Sequence, residues 1–369
     1  MPTSSSRTRI TRLLRPNRVK GLGIDIGTSG IKIAEVSQGR HGLRWLSRAY
    51  HPFEQPWNDE GLDAAELSSR LLDQLPRTVD GVPRDATVSL PASLCVARIV
   101  RRQDAKTVGT QMHNELGPDA QWCAWQVPGK QPEEEHLVAY GLRSDFAQAV
   151  GHTLERCGYR CVRIDAQPFA LYRLRNLDAI SQPAVDGVID WGWRSCVMML
   201  GTDRGPGLMR ELPRCGLREL VENAADRMNC TVEAILGVLR RSEEVKSATD
   251  SGRRTSDQAR DILGPWIRRV AHEIDQTLRF TKRIGCVGST RSLLLGGGVG
   301  SLPNVSTMLS SETTLNVRRW CWLGEKRFRS SAWSPPDAIH ANAFSLAATD
   351  LIEPPVASDV AERSAVVAH

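Results

Sequence analysis

Two stretches of the chain follow one rule: "GLGIDIGTSGIKIAEV", from Gly21, and "DGVIDWGWRSCVMMLG", from Asp186. Each is an apolar run, an Asp-x-Gly, a short turn and a second apolar run, which reads as strand, turn, strand. Their aspartates, Asp25 and Asp190, stand 165 positions apart. A unit repeated at that separation predicts two similar half-domains. Length agrees, because 369 residues exceed what one compact core organises.

The first turn has the residues of a phosphate cradle. Gly27 lets the backbone turn, so that the N–H groups of Thr28, Ser29 and Gly30 converge on an anion. Thr28 and Ser29 add hydroxyl donors and Lys32 a positive charge, whereas Asp25 repels a phosphate and needs a cation beside it. Magnesium meets that need, since it keeps several waters and takes few carboxylates next to a substrate phosphate. The same composition also suits an ordinary Gly- and Ser-rich hairpin. Neither GxxxxGK[ST] nor GxGxxG is present, which disfavours two common nucleotide folds. A third turn, "LLLGGGVGSLPNV", sets Gly296, Gly297 and Gly298 behind a buried strand, where backbone approaches something flat or bulky.

Around these turns the pattern alternates between strand and helix. Three strands are expected by residue 51, a helix at Leu62–Leu75 and a strand at Asp85–Val100. Helix and strand are mixed through residue 165, which predicts a subdomain inserted at about 88–165 in a first lobe of 19–185. The second lobe, 186–352, is expected to carry helices between Leu217 and Arg241. The polar run Glu243–Asp261 reads as an exposed loop or frayed helix end, and Pro265 as the start of a helix with Ile267, Val270, Ala271, Ile274 and Leu278 on one face. Residues 1–18 and 353–369 are expected to be disordered.

Composition closes off other classes. No apolar run approaches the ~20 residues that span a bilayer, and the basic leader lacks the apolar stretch of a secretory signal, so a cytoplasmic chain is expected. The leader is either a solvated tail or a weak contact with an anionic membrane face. Nine scattered cysteines argue against a disulfide framework, and Cys157 with Cys161 has no second pair to complete a metal site. A net charge of +6 does not by itself imply nucleic acid.

Taken in order, the two Asp-x-Gly hairpins and the later Gly297, Gly298 and Pro303 turn resemble the phosphate-1, phosphate-2 and adenosine motifs of the actin-like ATPase superfamily. Within it, "GIDIGTSGIKIAEVS", "CVRIDAQPFALYRL", "EIDQTLRF" and "LLLGGGVGSLPNV" are most similar to the PilM family of type IV pilus assembly proteins, itself similar to FtsA. The resemblance implies an α/β, two-lobed actin-like fold, each lobe with a mixed-sheet, ribonuclease-H-like core, with ATP and Mg in the cleft. It implies Asp25, Gly27, Thr28, Ser29 and Lys32 on one side of the phosphates, and Asp190, Gly192 and Ser195 on the other. Asp25 and Asp190 would hold Mg largely through water. Glu273 would reach the adenosine, Gly297 and Gly298 would lie against adenine, and Gln167 falls where many members position a water. It also implies a partner: the N-terminal cytoplasmic segment of a PilN-like inner-membrane protein, with at most slow ATP hydrolysis.

One departure stands out: the superfamily's second hairpin normally has small residues after its Asp-x-Gly, whereas this one has Trp193 and Arg194, with Trp191 between Asp190 and Gly192. In a strand Trp191 and Trp193 share a face, so either both pack away and leave the loop open, or Trp193 fills part of the phosphate site. The second outcome would make the chain a nucleotide-free interaction protein. A filament-forming membrane adaptor would need an amphipathic C-terminal helix, for which "EPPVASDVAERSAVVAH" lacks aromatic and basic residues. A sugar kinase would need an acceptor-side carboxylate, and none is evident between the hairpins.

Overall fold

The computed structural model describes residues 20–39, 42–54, 56–57, 62–78, 84–117, 119–127, 135–165, 167–178, 183–202, 205–244, 250–285, 289–302, 304–322, 337–349 and 351. The expected leader and tail, and Pro303, lie outside them.

The first repeat unit forms an antiparallel ladder of β1 (Lys20–Ile26), β2 (Gly30–Gly39) and β3 (Gly42–Pro52), with Asp25 opposite Lys32. Ile31 and Ile33 of β2 enter one core while Ala34 and Val36 enter another. A strand covered on both faces needs this nearly unbroken apolar run. β4 (Arg84–Ser89) and β8 (Tyr159–Ile164) extend the sheet in parallel, giving the order β3-β2-β1-β4-β8.

The second unit repeats this plan. β9 (Gly187–Trp191), β10 (Cys196–Thr202) and β11 (Gly205–Glu211) are antiparallel, and β12 (Ser292–Gly296) and β13 (Asn316–Arg319) are parallel to β9. The order, β11-β10-β9-β12-β13, matches the first sheet strand for strand. The superposition of plans places Asp25 with Asp190, Ser89 with Gly296 and Lys32 with Val197.

Helices cover both sheets. α1 (Ala64–Gln74), capped by Asp63 accepting from the Glu66 N–H at 2.7 Å, packs with α3 (Ser144–Arg156) over the first core through Leu67, Leu71, Val150 and Leu154. α4 (Gln167–Asp178) and α10 (Ala341–Ala347) lie between the sheets, joining Leu171, Leu174 and Phe344 to Val36 on one side and Val188 and Leu294 on the other. α10 rests directly on β1: a Cβ on Gly21 would lie 1.7 Å from the Ala347 carbonyl oxygen, and one on Gly23 2.0 Å from that of Ala343. The "GLG" of the first stretch is thus a seat for a helix.

A third sheet, β5 (Cys95–Arg101), β6 (Gln121–Val127) and β7 (His136–Leu142), has the order β5-β7-β6. One face carries α2 (Ala105–Leu116) through Val108, Met112 and Leu116, and Trp125, Val127, Val138 and Tyr140 of the other face join the second lobe's core. The Trp125 indole N–H donates to the Pro206 carbonyl at 2.6 Å.

Three boundaries differ from expectation. The inserted sheet spans 95–142 rather than 88–165, because α3 and β8 bury Phe146, Val150, Leu154 and Tyr159 in the first lobe's core. The second lobe does not keep residues to 352, since α10 returns to β1 and α4. Pro265 does not start a helix but sits inside α7 (Asp250–Ile284), which also absorbs the last part of the expected polar loop. Pro265 has no N–H for the Asp261 carbonyl, and Arg227 of α5 (Leu217–Met228) donates to that carbonyl at 3.3 Å instead. The helix continues, and Ile267, Val270, Ala271 and Ile274 bury as expected. α6 (Val232–Glu244), α8 (Gly297–Gly300) and α9 (Val305–Glu312) complete the second lobe.

Candidate functional site: a polar cleft between two hairpins

Both Asp-x-Gly turns close in the same way. Gly27 N–H donates to the Gly30 carbonyl at 3.1 Å, and Gly192 N–H to that of Ser195 at 2.8 Å. Behind the first turn, the Lys32 ammonium is 3.5 Å from Asp25 Oδ2 and lies over Gly27, where a Cβ would meet it at 2.5 Å. Ser89 Oγ and Asn342 Nδ2 each donate to Asp25 Oδ1 at 2.8 Å, and Asn342 also donates to Ser89 Oγ at 3.0 Å. Behind the second turn, Gln167 Nε2 donates to Asp190 Oδ2 at 3.0 Å. The third turn presses on the same aspartate. Gly297, at φ +80°, leaves no room for a Cβ, which would fall 2.5 Å from the Trp191 carbonyl oxygen and 2.6 Å from Asp190 Oδ1.

The two lobes share one electrostatic field. Burial disfavours the charge on Lys32, but Asp25, Tyr50 and Asp190 outweigh it and hold the ammonium above its ordinary pKa. Burial and the repulsion of Asp25 push the Asp190 carboxyl up to about 6, against the opposing pull of Lys32 and Gln167. Asp25, Lys32, Asp190 and Gln167 are therefore brought into one cluster, with Gly27, Gly192 and Gly297 shaping its walls.

The remaining expected residues divide. Thr28 and Ser29 lie in the first turn, whose carbonyls are held from outside: Thr28 accepts from Trp57 N–H at 2.7 Å, and Ser29 from Phe53 N–H at 3.0 Å and the Tyr50 hydroxyl at 3.3 Å. This leaves the turn's shape fixed by the chain that follows β3. Gly298 faces open space, with nothing within 4 Å of a Cβ there. Ser195 closes the second turn through its carbonyl. Glu273 is engaged elsewhere, ion-paired at 2.8 Å to Arg210 of β11.

Trp191 is fully buried and donates its indole N–H to the Cys215 carbonyl at 2.6 Å, and Trp193 packs against the same core. Trp193 lies in the turn rather than the strand, so strand alternation does not set its direction. The two rings are nevertheless directed to the second lobe's core. Arg194 reaches the first lobe, its Nη1 3.5 Å from the Trp57 carbonyl oxygen.

Sequence reasoning missed Ser89, Asn342 and Tyr50. Ser89 was legible in principle as the first lobe's counterpart of Gly296. Asn342 had one signal, a lone amide within the small apolar run "HANAFSLA".

The cluster fits magnesium beside a phosphate ligand. Its donors are hard oxygens, as Mg²⁺ prefers. Two of them, Gln167 Oε1 and Asn342 Oδ1, are buried with no hydrogen-bond partner, and such groups are costly unless something satisfies them. Among the described residues, no group of three or more His, Cys, Asp and Glu side chains is placed to hold a metal ion, so magnesium here would rely on its own waters and on the phosphates for most of its ligands.

Two lobes of identical strand order, closing on paired Asp-x-Gly hairpins, define the actin-like ATPase fold. A chain of the PilM–PilN type IV pilus biogenesis complex has this fold, with a TM-score of 0.64, 23% identity, and coverage of 91% of this chain and 100% of that one. The ethanolamine utilization protein EutJ from Carboxydothermus hydrogenoformans follows at a TM-score of 0.52, with 14% identity and 90% of each chain covered. No protein-family model matches the chain, and no curated protein matches it.

Proposed function

We propose that this protein is an ATP- and magnesium-binding scaffold of type IV pilus or related secretion-system assembly, acting in the cytoplasm at the inner membrane through a PilN-like partner. The fold shared with a chain of the PilM–PilN complex supports the setting. The convergence of Asp25, Lys32, Asp190 and Gln167, with two unsatisfied amide oxygens, carries the ligand. Among the described residues, no helix is long and apolar enough to cross a membrane, so attachment would come through the partner's N-terminal segment.

In this reading, Asp25 and Asp190 hold magnesium largely through its waters, and the metal supplies charge neutralisation for the phosphates. Lys32 and the turn around Gly27, Thr28 and Ser29 bind phosphate from the first lobe, and Gly192 and Ser195 line the second. Gly298 gives the adenine an open face, and Glu273 contacts the nucleoside only by leaving Arg210. Gln167 spends its amide N–H on Asp190, which fixes that carboxylate rather than activating a water, and fits slow turnover or none. ATP then acts by favouring one arrangement of the lobes over another.

A nucleotide-free interaction protein is favoured by one observation: the Lys32 ammonium pairs with Asp25 at 3.5 Å, a charge partner supplied by the chain itself. Thermal melts separate the two. With ATP and Mg²⁺ at about 100 times Kd, linkage adds about 2.7 kcal/mol of stability, and Asp25→Ala abolishes the shift. A melt unmoved by ATP and Mg²⁺ sinks the nucleotide reading. For the partner, a synthetic N-terminal peptide of a PilN-like protein is expected to bind the full chain, and absence of binding removes that part.

A further inference from the structure

One polar residue in the cleft comes from neither hairpin. Asn342 is 5% exposed and sits on α10, the helix seated against the bare backbone of Gly21 and Gly23. Its Nδ2 must be the end facing Asp25, because its oxygen there would repel the carboxylate. That orientation leaves Oδ1 buried and without a partner. An amide that donates to the carboxylate, bridges to Ser89 and keeps an idle oxygen is suited to respond when charge at Asp25 changes.

Two residues further along, the same helix carries Phe344, which is fully buried where aromatic rings of both lobes meet. Its ring centroid is 4.6 Å from that of Trp45 on β3, 5.5 Å from Trp320 and 4.8 Å from Trp322, which both follow β13. Trp322 also donates its indole N–H to the Leu43 carbonyl of the first lobe at 3.3 Å. One short helix therefore touches the Asp25 carboxylate at one residue and the aromatic contact between lobes at another.

We propose that Asn342 is a positioning residue for the Asp25 carboxylate, and that α10 transmits occupancy of the cleft to the Trp45–Phe344–Trp322 contact. The inference rests on the nucleotide reading above. When a cation with its waters occupies Asp25, Asn342 keeps its hydrogen bond to the carboxylate and its idle oxygen turns to accept from those waters, an interaction that the free cleft lacks. That turn shifts α10, which lies directly against the bare backbone of Gly21 and Gly23 on β1. Phe344 moves with it, and the tryptophans of the two lobes change their packing.

The test uses full-length protein, ATP, Mg²⁺ and tryptophan emission. Wild type is expected to change its emission on adding ATP with Mg²⁺, and Trp45→Phe to bind equally while losing most of that change. Asn342→Ala is expected to need about tenfold more Mg²⁺ for the same thermal shift, the size of one lost hydrogen bond to a charged group, and to give no emission change when saturated. If Asn342→Ala does not fold, Asn342→Ser keeps a small donor, and its Mg²⁺ requirement is expected to fall between wild type and tenfold. A wild-type response matched in full by the Asn342 variant that folds overturns the coupling and leaves nucleotide binding standing. A wild type that responds to ATP with Mg²⁺ in neither melt nor emission overturns both.

Discussion

Asp25 and Asp190 end the central strands of two sheets with the same strand order, each followed by a turn with the same closing hydrogen bond. Their surroundings differ in kind. Asp25 faces Lys32, Ser89 and Asn342, all of which favour its charge. Asp190 has Val197 where the first lobe has Lys32, Gly296 where it has Ser89, and Gln167 as its side-chain hydrogen-bond donor. The turns are braced differently too. The carbonyls of the first are held by Phe53 and Trp57 after β3, and those of the second, Gly192 and Trp193, accept from Leu217 and Arg218 at the start of α5. A duplicated backbone has thus been given one carboxylate met by an ammonium and two hydrogen-bond donors, and one whose pKa is raised by burial and by the other carboxylate. An incoming cation would gain most at Asp190.

The largest test concerns the third turn, which makes Asp190 what it is. Gly297→Ala puts a methyl group onto the Trp191 backbone and the Asp190 carboxylate at a φ that strains any side chain. A loss of about 4 kcal/mol in urea unfolding is expected. Gly298→Ala, with open space around it, is expected to stay within about 0.5 kcal/mol. Equal losses at the two positions would mean that the glycine run is needed for helix α8 rather than for its approach to Asp190.

The two aspartates should then respond with opposite signs. Asp25→Asn strands the Lys32 ammonium, whose side chain is only 13% exposed, and a loss of about 3 kcal/mol at pH 7 is expected. Asp190 binds its proton more tightly folded than unfolded, its pKa rising from 3.8 to about 6. Stability therefore falls as pH rises from about 4 to 6, and the full cost is present above that window. Asp190→Asn removes the cost, so a gain of about 2 kcal/mol at pH 8 and a flatter profile between pH 4 and 6 are expected. Urea melts at pH 4, 6 and 8 measure both, and two losses of similar size at pH 8 would erase the distinction between the lobes.

How much of this was readable beforehand follows from where the information lies. The two hairpins and their sheets were legible because alternation and Asp-x-Gly are local. So were Asp25, Lys32 and Asp190. The return of α10 to the first lobe was not, since a short helix of small residues buried on all sides has no apolar stripe to reveal its partners. Asn342 was lost with it. Pro265 misled for the opposite reason: sequence shows the missing N–H but not Arg227, 38 positions earlier, taking up the freed carbonyl. Trp191 and Trp193 left two outcomes open, rings packed away from the turn or Trp193 in the phosphate site, and only the second lobe's core shows where the rings go.

The smallest effect offers the finest comparison, because one hydroxymethyl group separates the two lobes at equivalent positions. Ser89 is fully buried and its hydroxyl donates a hydrogen bond to Asp25, while its counterpart Gly296 has no side chain to offer Asp190. Ser89→Ala removes one hydrogen bond to a charge and is expected to cost about 1.5 kcal/mol. Gly296→Ser makes the reciprocal change. A Cβ at 296 would approach Ala341 Cβ at 3.3 Å, which a small shift relieves, and the new hydroxyl lies across the strand pair from Asp190. Net stability at pH 8 is expected to change by less than about 1 kcal/mol, while the Asp190 titration, followed by carboxyl carbon NMR, moves down by about one unit. A titration that stays near 6 would mean that the carboxyl is governed by burial and by Asp25 across the cleft, and that the missing serine is not what sets the second lobe apart.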